Sequence, residues 1–138
     1  MVRITASIQF RGEAFRPGQA EQLTGLAFTE KNEVGDIAKA GRYKNQPLPY
    51  GWASFESPDE VEVPDRVLWL ARQWAGKIDL ARQCGAEDIH FWVGYFYDDQ
   101  CNCDLSVEEI KAINRCRFPI YFQFIRWMTW IPFRNMLL

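Results

Sequence analysis

The chain has 138 residues, a length that forms one domain burying roughly 70% of its unfolded surface and that excludes a second full domain. Apolar residues make up 48% and charged residues 25%, which excludes a disordered or low-complexity chain. Sixteen basic and eighteen acidic residues give a formal charge of −2, so overall electrostatics provide no reason to expect a nucleic-acid partner.

The charges are segregated along the chain. Residues 56–65 carry five acids and no base, residues 83–110 carry seven acids and no base, and residues 111–138 carry five bases and no acid. Runs of this kind are usually solvated faces, and we interpret them in that way.

The first element is a predicted strand. Apolar and polar residues alternate from Val2 to Phe10, which is the two-residue period of a half-buried strand. The same segment lacks a long apolar run before a small-residue cleavage site. It therefore does not predict a signal peptide, and we expect a cytoplasmic location.

A short helix is predicted next, over about 17–24, because a proline suits its first turn and a glycine its end. The polar stretch 30–46 predicts a long connection, with a short strand near Ala27. Residues 50–55 then predict a short aromatic strand, whose preceding prolines suit a sheet edge or a strand entrance.

The longest helix is predicted between Pro64 and Gly85. Its apolar residues recur at helical spacing along one face: Val67, Leu70, Ala71, Trp74, Ala75, Ile78 and Ala81. Gly76 costs about 1 kcal/mol relative to Ala, which we expect a helix of about five turns to tolerate.

The last third of the chain predicts a strand, a helix and a strand. Residues 88–97 are apolar on both alternating sets, as in a central strand covered on both faces. After the polar loop 98–104, Ser106 and Glu109 form a capping box that begins a helix. The final strand is predicted over 118–125. The apolar stripe of the helix consists of Val107, Ile110 and Ile113.

This element order predicts one α+β domain over 1–138: a ferredoxin-like two-layer sandwich of two βαβ halves, with an additional long helix between them. Residues 126–138 form an apolar C-terminal tail. The stretch 118–138 has the length of a membrane span, but Arg126 and Arg134 would each cost about 3 kcal/mol within the bilayer. We therefore predict no membrane partner.

Five motifs in this order carry a resemblance to a known family: ITASIQF, FRPGQAEQLTGL, GRYKNQPLPYGWASFES, IHFWVGYFY and CNCDLSVEEIKAINRCRFPIYFQF. Together they resemble the bacterial domain of unknown function 4279, from about Arg3 to Arg126. The resemblance implies a compact α+β domain with two related halves and carries no catalytic residue to this chain. The tail beyond the last strand departs from the family pattern.

Metal and thiol chemistry are not predicted. Cys101 and Cys103 have a one-residue spacer and only His90 as a further nitrogen ligand, whereas structural zinc usually needs four ligands and a two-residue spacer. Nearby aspartates would raise the pKa of a loop thiol and disfavour a nucleophilic cysteine. No catalytic residue, metal or other cofactor is therefore predicted, and the four cysteines are interpreted as thiols.

The aromatic content is high, with six Trp, five Tyr and ten Phe. One small core is not expected to hide all these rings, and exposed Trp is typical of protein interfaces. We predict a non-enzymatic protein-interaction module, whose partner is a second copy in a homodimer or another protein, including a toxin that it would neutralise as an immunity factor. The predicted contact residues are Trp52, Trp69, Trp92, Trp127, Trp130 and Phe133.

An alternative is a small-molecule-binding domain or hydrolase. Its aromatic cleft would lie near the paired acids Asp98 and Asp99, and burial could separate their pKa values for acid and base roles. The remaining cleft residues would be Tyr43, Trp52, His90, Tyr95 and Tyr97. The aromatic strand is also similar to those of RNA-recognition modules, but its acidic surroundings would repel phosphate, and no nucleic-acid partner is predicted.

Overall fold

A five-stranded mixed sheet and four α-helices form the α+β fold of the chain, and the computed structural model describes residues 2–97 and 105–126. The strands are β1 (Val2–Gly12), β2 (Glu30–Asn32), β3 (Gly51–Glu56), β4 (Asp88–Tyr97) and β5 (Ile120–Arg126). The helices are α1 (Pro17–Thr24), α2 (Arg66–Trp74), α3 (Ile78–Gln83) and α4 (Val107–Cys116), with a 3₁₀ turn at Val63–Asp65. The predicted α+β class is confirmed.

The strand order is β2-β3-β1-β4-β5. The long strand β1 pairs antiparallel with both β3 and β4, whereas β4 and β5 pair in parallel across the helix α4. The predicted ferredoxin-like arrangement of two βαβ halves is not confirmed, because this strand order differs from it. The first half fails to form a parallel βαβ unit, since the chain returns from α1 through β2 and enters β3 antiparallel to β1.

The core lies between one face of the sheet and the helices. Phe10 on β1 and Trp74 on α2 are fully buried, with ring centroids 4.6 Å apart. Phe28 and Phe55 also contact the Trp74 ring, at 5.7 and 5.6 Å. Four rings from a strand, a loop, a second strand and a helix therefore form the centre of the core.

The predicted long helix is two helices, and the prediction of one continuous helix is wrong. α2 ends at Trp74, and α3 begins at Ile78 after Gly76, whose φ is +75°. Glycine adopts this left-handed conformation without the steric cost that a Cβ would add. Because Ile78 and Ala81 are still buried, the break redirects the chain and keeps the apolar stripe on the core.

The helix α4 begins as predicted. The Ser106 hydroxyl accepts a hydrogen bond from the Glu109 amide, and the Glu109 carboxylate accepts one from the Ser106 amide, both at 3.1 Å. Its apolar stripe is only partly used: Ile113 packs against the core, whereas Val107 and Ile110 are 69% and 52% exposed. Two of the three residues of the predicted stripe therefore lie at the surface.

Candidate functional site

The buried side chains of the helices belong to one cluster with residues of a single sheet face, such as Ile8 and Phe91. We call the opposite face the open face, because within residues 2–97 and 105–126 no helix contributes to it. Strand register places these side chains on the open face: Thr5, Ser7, Gln9, Arg11, Trp52, Ser54, His90, Trp92, Phe96 and Tyr121.

Trp92 occupies the half of the open face built by β4 and β5. A Cβ added at Gly94 would lie 2.6 Å from Cη2 of Trp92 and 3.0 Å from the Thr5 hydroxyl, so the indole lies across the glycine. Next to it, the rings of His90 and Tyr121 meet edge to face at 4.9 Å. The absence of a side chain at Gly94 therefore leaves room for the partly buried indole of Trp92.

A depression of about 290 Å³ lies at the other end of the open face. It is lined mainly by polar and aromatic side chains: Gln9, Arg11, Asn32, Tyr50, Trp52, Asp88 and His90. The Arg11 guanidinium lies 4.0 Å from the centre of the Tyr50 ring, and Asn32 donates a hydrogen bond to the Tyr50 carbonyl. His90 Nδ1 is buried and 3.5 Å from a carboxylate oxygen of Asp88.

Among the described strands, β5 lies at an edge of the sheet and is the one with exposed large apolar side chains. Tyr121 is 53% exposed on the open face, and Phe124 is 50% exposed on the helix face. Beside it, Ile110 and Ile120 line a shallow depression between α4 and β5. The opposite edge, β2, has only three residues, all polar, and its Lys31 forms an ion pair with Glu21.

The predicted contact residues do not form one surface. Trp52 and Trp92 both lie on the open face and are partly buried. Trp69 lies on α2, where its ring stacks on Phe55 at 5.9 Å and packs against the core. The remaining three, Trp127, Trp130 and Phe133, lie outside the described residues.

The predicted aromatic cleft is divided between the two faces of the sheet. His90 lies on the open face, and Tyr43 reaches its margin through a ring contact with Tyr50. Tyr95 and Tyr97 occupy the alternate register of β4, and Tyr95 is buried in the core. Asp98 and Asp99 lie outside the described residues, so of the predicted cleft residues the structure brings His90, Trp52 and Tyr43 towards one depression.

The described thiols are unsuited to nucleophilic chemistry. Cys84 and Cys116 are free and buried, and burial raises the pKa of both thiols. Among the described residues, no group of three or more His, Cys, Asp or Glu side chains could hold a metal ion. Cys101 and Cys103 lie outside those residues.

Sequence reasoning missed the exposed residues of β5 and α4. Tyr121 and Phe124 belong to a segment that was correctly predicted as a strand, but the alternating pattern does not show which strand is at an edge. The sequence contains no usable signal for the edge, because the other edge strand, β2, lies at Glu30–Asn32 in a stretch predicted as a connection rather than near Ala27. No helix in the described ranges is long and apolar enough to cross a membrane.

Comparison with known proteins provides no relative for this chain. No family model matches it, and no match was found among curated proteins or solved structures. Its function must therefore be argued from the surfaces described above.

Proposed function

We propose that this chain is a non-enzymatic protein-interaction module and that its partner is a second copy, which pairs through β5. The observation that supports this is the apolar edge itself: β5 has seven residues, with half-exposed rings on both of its faces. Long apolar edge strands are templates for pairing with another chain, and proteins usually blunt them with charge or proline. The resemblance to an uncharacterised family adds no functional residue to this argument.

On its outer side, the backbone of β5 has hydrogen-bonding groups that no other described strand pairs with. The Phe91 amide donates to the Pro119 carbonyl at 2.9 Å, so odd-numbered residues of β5 direct their backbone groups towards β4. Because these groups alternate along a strand, Ile120, Phe122 and Phe124 direct theirs outward. A second strand could therefore add to the sheet without any rearrangement of β4.

The sequence of β5 is complementary to itself in an antiparallel register centred on Gln123. Phe122 of one copy would then lie opposite Phe124 of the other, and Tyr121 opposite Ile125. These are aromatic and β-branched pairs, which stabilise antiparallel strands by about 0.2–1 kcal/mol each. The single charged residue of the strand, Arg126, would lie opposite an isoleucine, so no like charges would meet.

The rings supply most of the expected affinity. A phenylalanine that is half exposed offers about 100 Å² of apolar surface, worth roughly 2.5 kcal/mol when it is buried. Because both copies in a two-fold symmetric dimer carry the substitution, loss of Phe124 should weaken the free energy of dimerisation by about 5 kcal/mol. The dimer Kd should then rise more than a thousandfold.

Sedimentation over a concentration series tests this proposal. We expect the intact chain to dimerise and Phe124→Lys to remain monomeric, whereas Ile37→Lys, at an exposed loop position away from the sheet, should dimerise like the parent chain. A parent chain that is monomeric at every concentration, or equal dimerisation by both variants, would refute pairing through β5.

Another protein, such as a toxin, is the other partner that the proposal includes. Co-purification from the native cell would identify it, and loss of capture with Trp92→Ala but not Trp69→Ala would assign it to the open face. A cytoplasmic location is part of the proposal and is supported by the free thiols of Cys84 and Cys116.

A second candidate is a small-molecule-binding domain or hydrolase, and one observation favours it. The depression beside Trp52 combines a ring, the Arg11 guanidinium and the partly buried imidazole of His90, whose Nδ1 is buried. If this depression is a hydrolytic site, hydrolysis of an activated ester should disappear in His90→Gln. It should persist in Arg3→Gln, the control, which changes a charge at the far end of the same face. Equal ester hydrolysis by both variants would eliminate a hydrolase that uses His90.

A further inference from the structure

A further concave surface lies on the opposite side of the molecule from the open face, between the helices. It is a groove of about 520 Å³ at the break between α2 and α3, closed on its other side by the C-terminal half of α4. Its apolar lining includes the buried side chains of Trp74, Ile78 and Cys116. This volume is within the range of sites that bury small organic ligands.

Four arginines and one acid make up the charged lining of the groove: Arg72, Arg82, Arg115, Arg117 and Asp79. Arg72 pairs with Glu108 at 2.9 Å and Arg82 with Asp79 at 3.4 Å, in pairs whose side chains are each more than 40% exposed. Such exposed pairs are weak and leave their arginines available to a competing anion.

Arg115 and Arg117 point to an anion site more clearly than Arg72 and Arg82 do. Within the described ranges neither has an ion-pair partner. Both belong to the basic block of residues 111–138 that the sequence suggested to be a solvated face. Both residues are exposed, and they line the same groove as two arginines from α2 and α3, in a chain whose net charge is −2.

Arg117 occupies a backbone position that favours glycine. It caps the C-terminus of α4 with a φ of 57°, in the left-handed region. A glycine there would relieve strain, as it does at the ends of many helices. The chain instead has an arginine at this position, and Arg117 lines the groove.

We propose that this groove binds a small organic anion with an apolar body, such as an aromatic or aliphatic carboxylate, sulfonate or phosphate ester. The apolar floor would desolvate the body of the ligand, and the guanidinium groups of Arg115 and Arg117 would donate charge-assisted hydrogen bonds to its anionic head. This site does not depend on pairing through β5, which none of its lining residues joins.

Fluorescence titration with anilinonaphthalene sulfonate, an apolar body with one anionic group, tests the site in the intact chain. The neutral analogue phenylnaphthylamine separates apolar binding from anion binding. We expect Arg115→Gln and Arg117→Gly each to weaken binding of the sulfonate about tenfold or more and to change binding of the neutral probe less than twofold. Arg42→Gln, which removes one charge from an exposed loop, is the matched control and should bind both probes as the parent does.

Urea unfolding of the same proteins distinguishes lost binding from lost structure. Arg117→Gly should unfold at a urea concentration equal to or higher than the parent, because glycine suits the left-handed cap. Weaker sulfonate binding by this more stable variant would support the site. Unchanged sulfonate affinity in both arginine variants, or parallel losses for the neutral probe, would overturn it.

Discussion

The contact between Trp92 and Gly94 provides the sharpest test of the open face. Gly94→Ala would place a methyl group 2.6 Å from the indole, so the ring must shift away from its position over the glycine. If the displaced ring exposes about 70 Å² more surface, the cost is roughly 2 kcal/mol. An alanine in place of a strand glycine gains about 0.5–1 kcal/mol, so the net loss of unfolding free energy should be about 1 kcal/mol.

A double-mutant cycle isolates this contact. In a Trp92→Ala background the indole is absent, and Gly94→Ala should raise the unfolding free energy by about 0.5–1 kcal/mol, because the Thr5 hydroxyl needs to move only slightly. The coupling energy between the two positions is therefore expected to be about 2 kcal/mol, measured by urea denaturation followed by far-UV circular dichroism. Tyr121→Ala is the control background, with a coupling near zero. A coupling below about 0.5 kcal/mol between Trp92 and Gly94 would show that the indole does not lie across the glycine.

Three further predictions concern the rest of the fold. Burial raises the pKa of the Glu21 carboxyl, but hydrogen bonds from Lys31 and a backbone amide outweigh burial, so the pKa is lowered overall. The free energy of unfolding should therefore fall as acid protonates Glu21. Glu21→Gln should lower it by about 1–2 kcal/mol at pH 7 and make it depend less on pH in acid. Gly51→Ala should lower the unfolding free energy by about 3 kcal/mol, measured in urea, because its Cβ would lie 2.0 Å from the Phe15 carbonyl oxygen. Cys116, whose thiol is buried and has a raised pKa, should react with iodoacetamide at least tenfold more slowly in the native chain than in urea, as measured by peptide mass mapping.

Local patterns predicted the elements well where one residue type dictates the backbone. The Pro17 and Gly25 signals bound α1 as expected, and Gly25 takes the left-handed conformation at its end. The capping box at Ser106 likewise begins α4. Gly76 shows the limit of such signals, because the same residue is tolerated inside a helix or ends it, and the core contacts of Trp74 and Ile78 decide which.

Strand pairing could not be predicted from local patterns. The alternation in β1 indicates one buried face, but nothing in residues 2–12 shows that this strand will be central and antiparallel to both neighbours. The ferredoxin-like expectation assumed that each helix connects parallel strands. In this chain β2 intervenes between α1 and β3, and only the connection through α4 joins a parallel pair within the described strands.

The candidate cleft could have been divided correctly from the sequence, because a strand alternates its side chains between two faces. His90 is an even-numbered residue of β4, whereas Tyr95 and Tyr97 are odd-numbered, so they could not line one surface of a regular strand. The same alternation groups His90 with Trp92 on the open face.

The exposure of an aromatic ring in this fold depends more on whether its strand is central or at an edge of the sheet than on the size of the ring. Trp74, among the largest side chains, is fully buried by rings from three other elements, whereas Tyr121 and Phe124 are half exposed because β5 has a strand on one side only among the described elements. A surplus of aromatic residues therefore indicates that some surface is apolar without showing which residue supplies it. If this reasoning holds, Trp92→Ala should leave self-association unchanged although it removes the larger ring, while Phe124→Lys abolishes it.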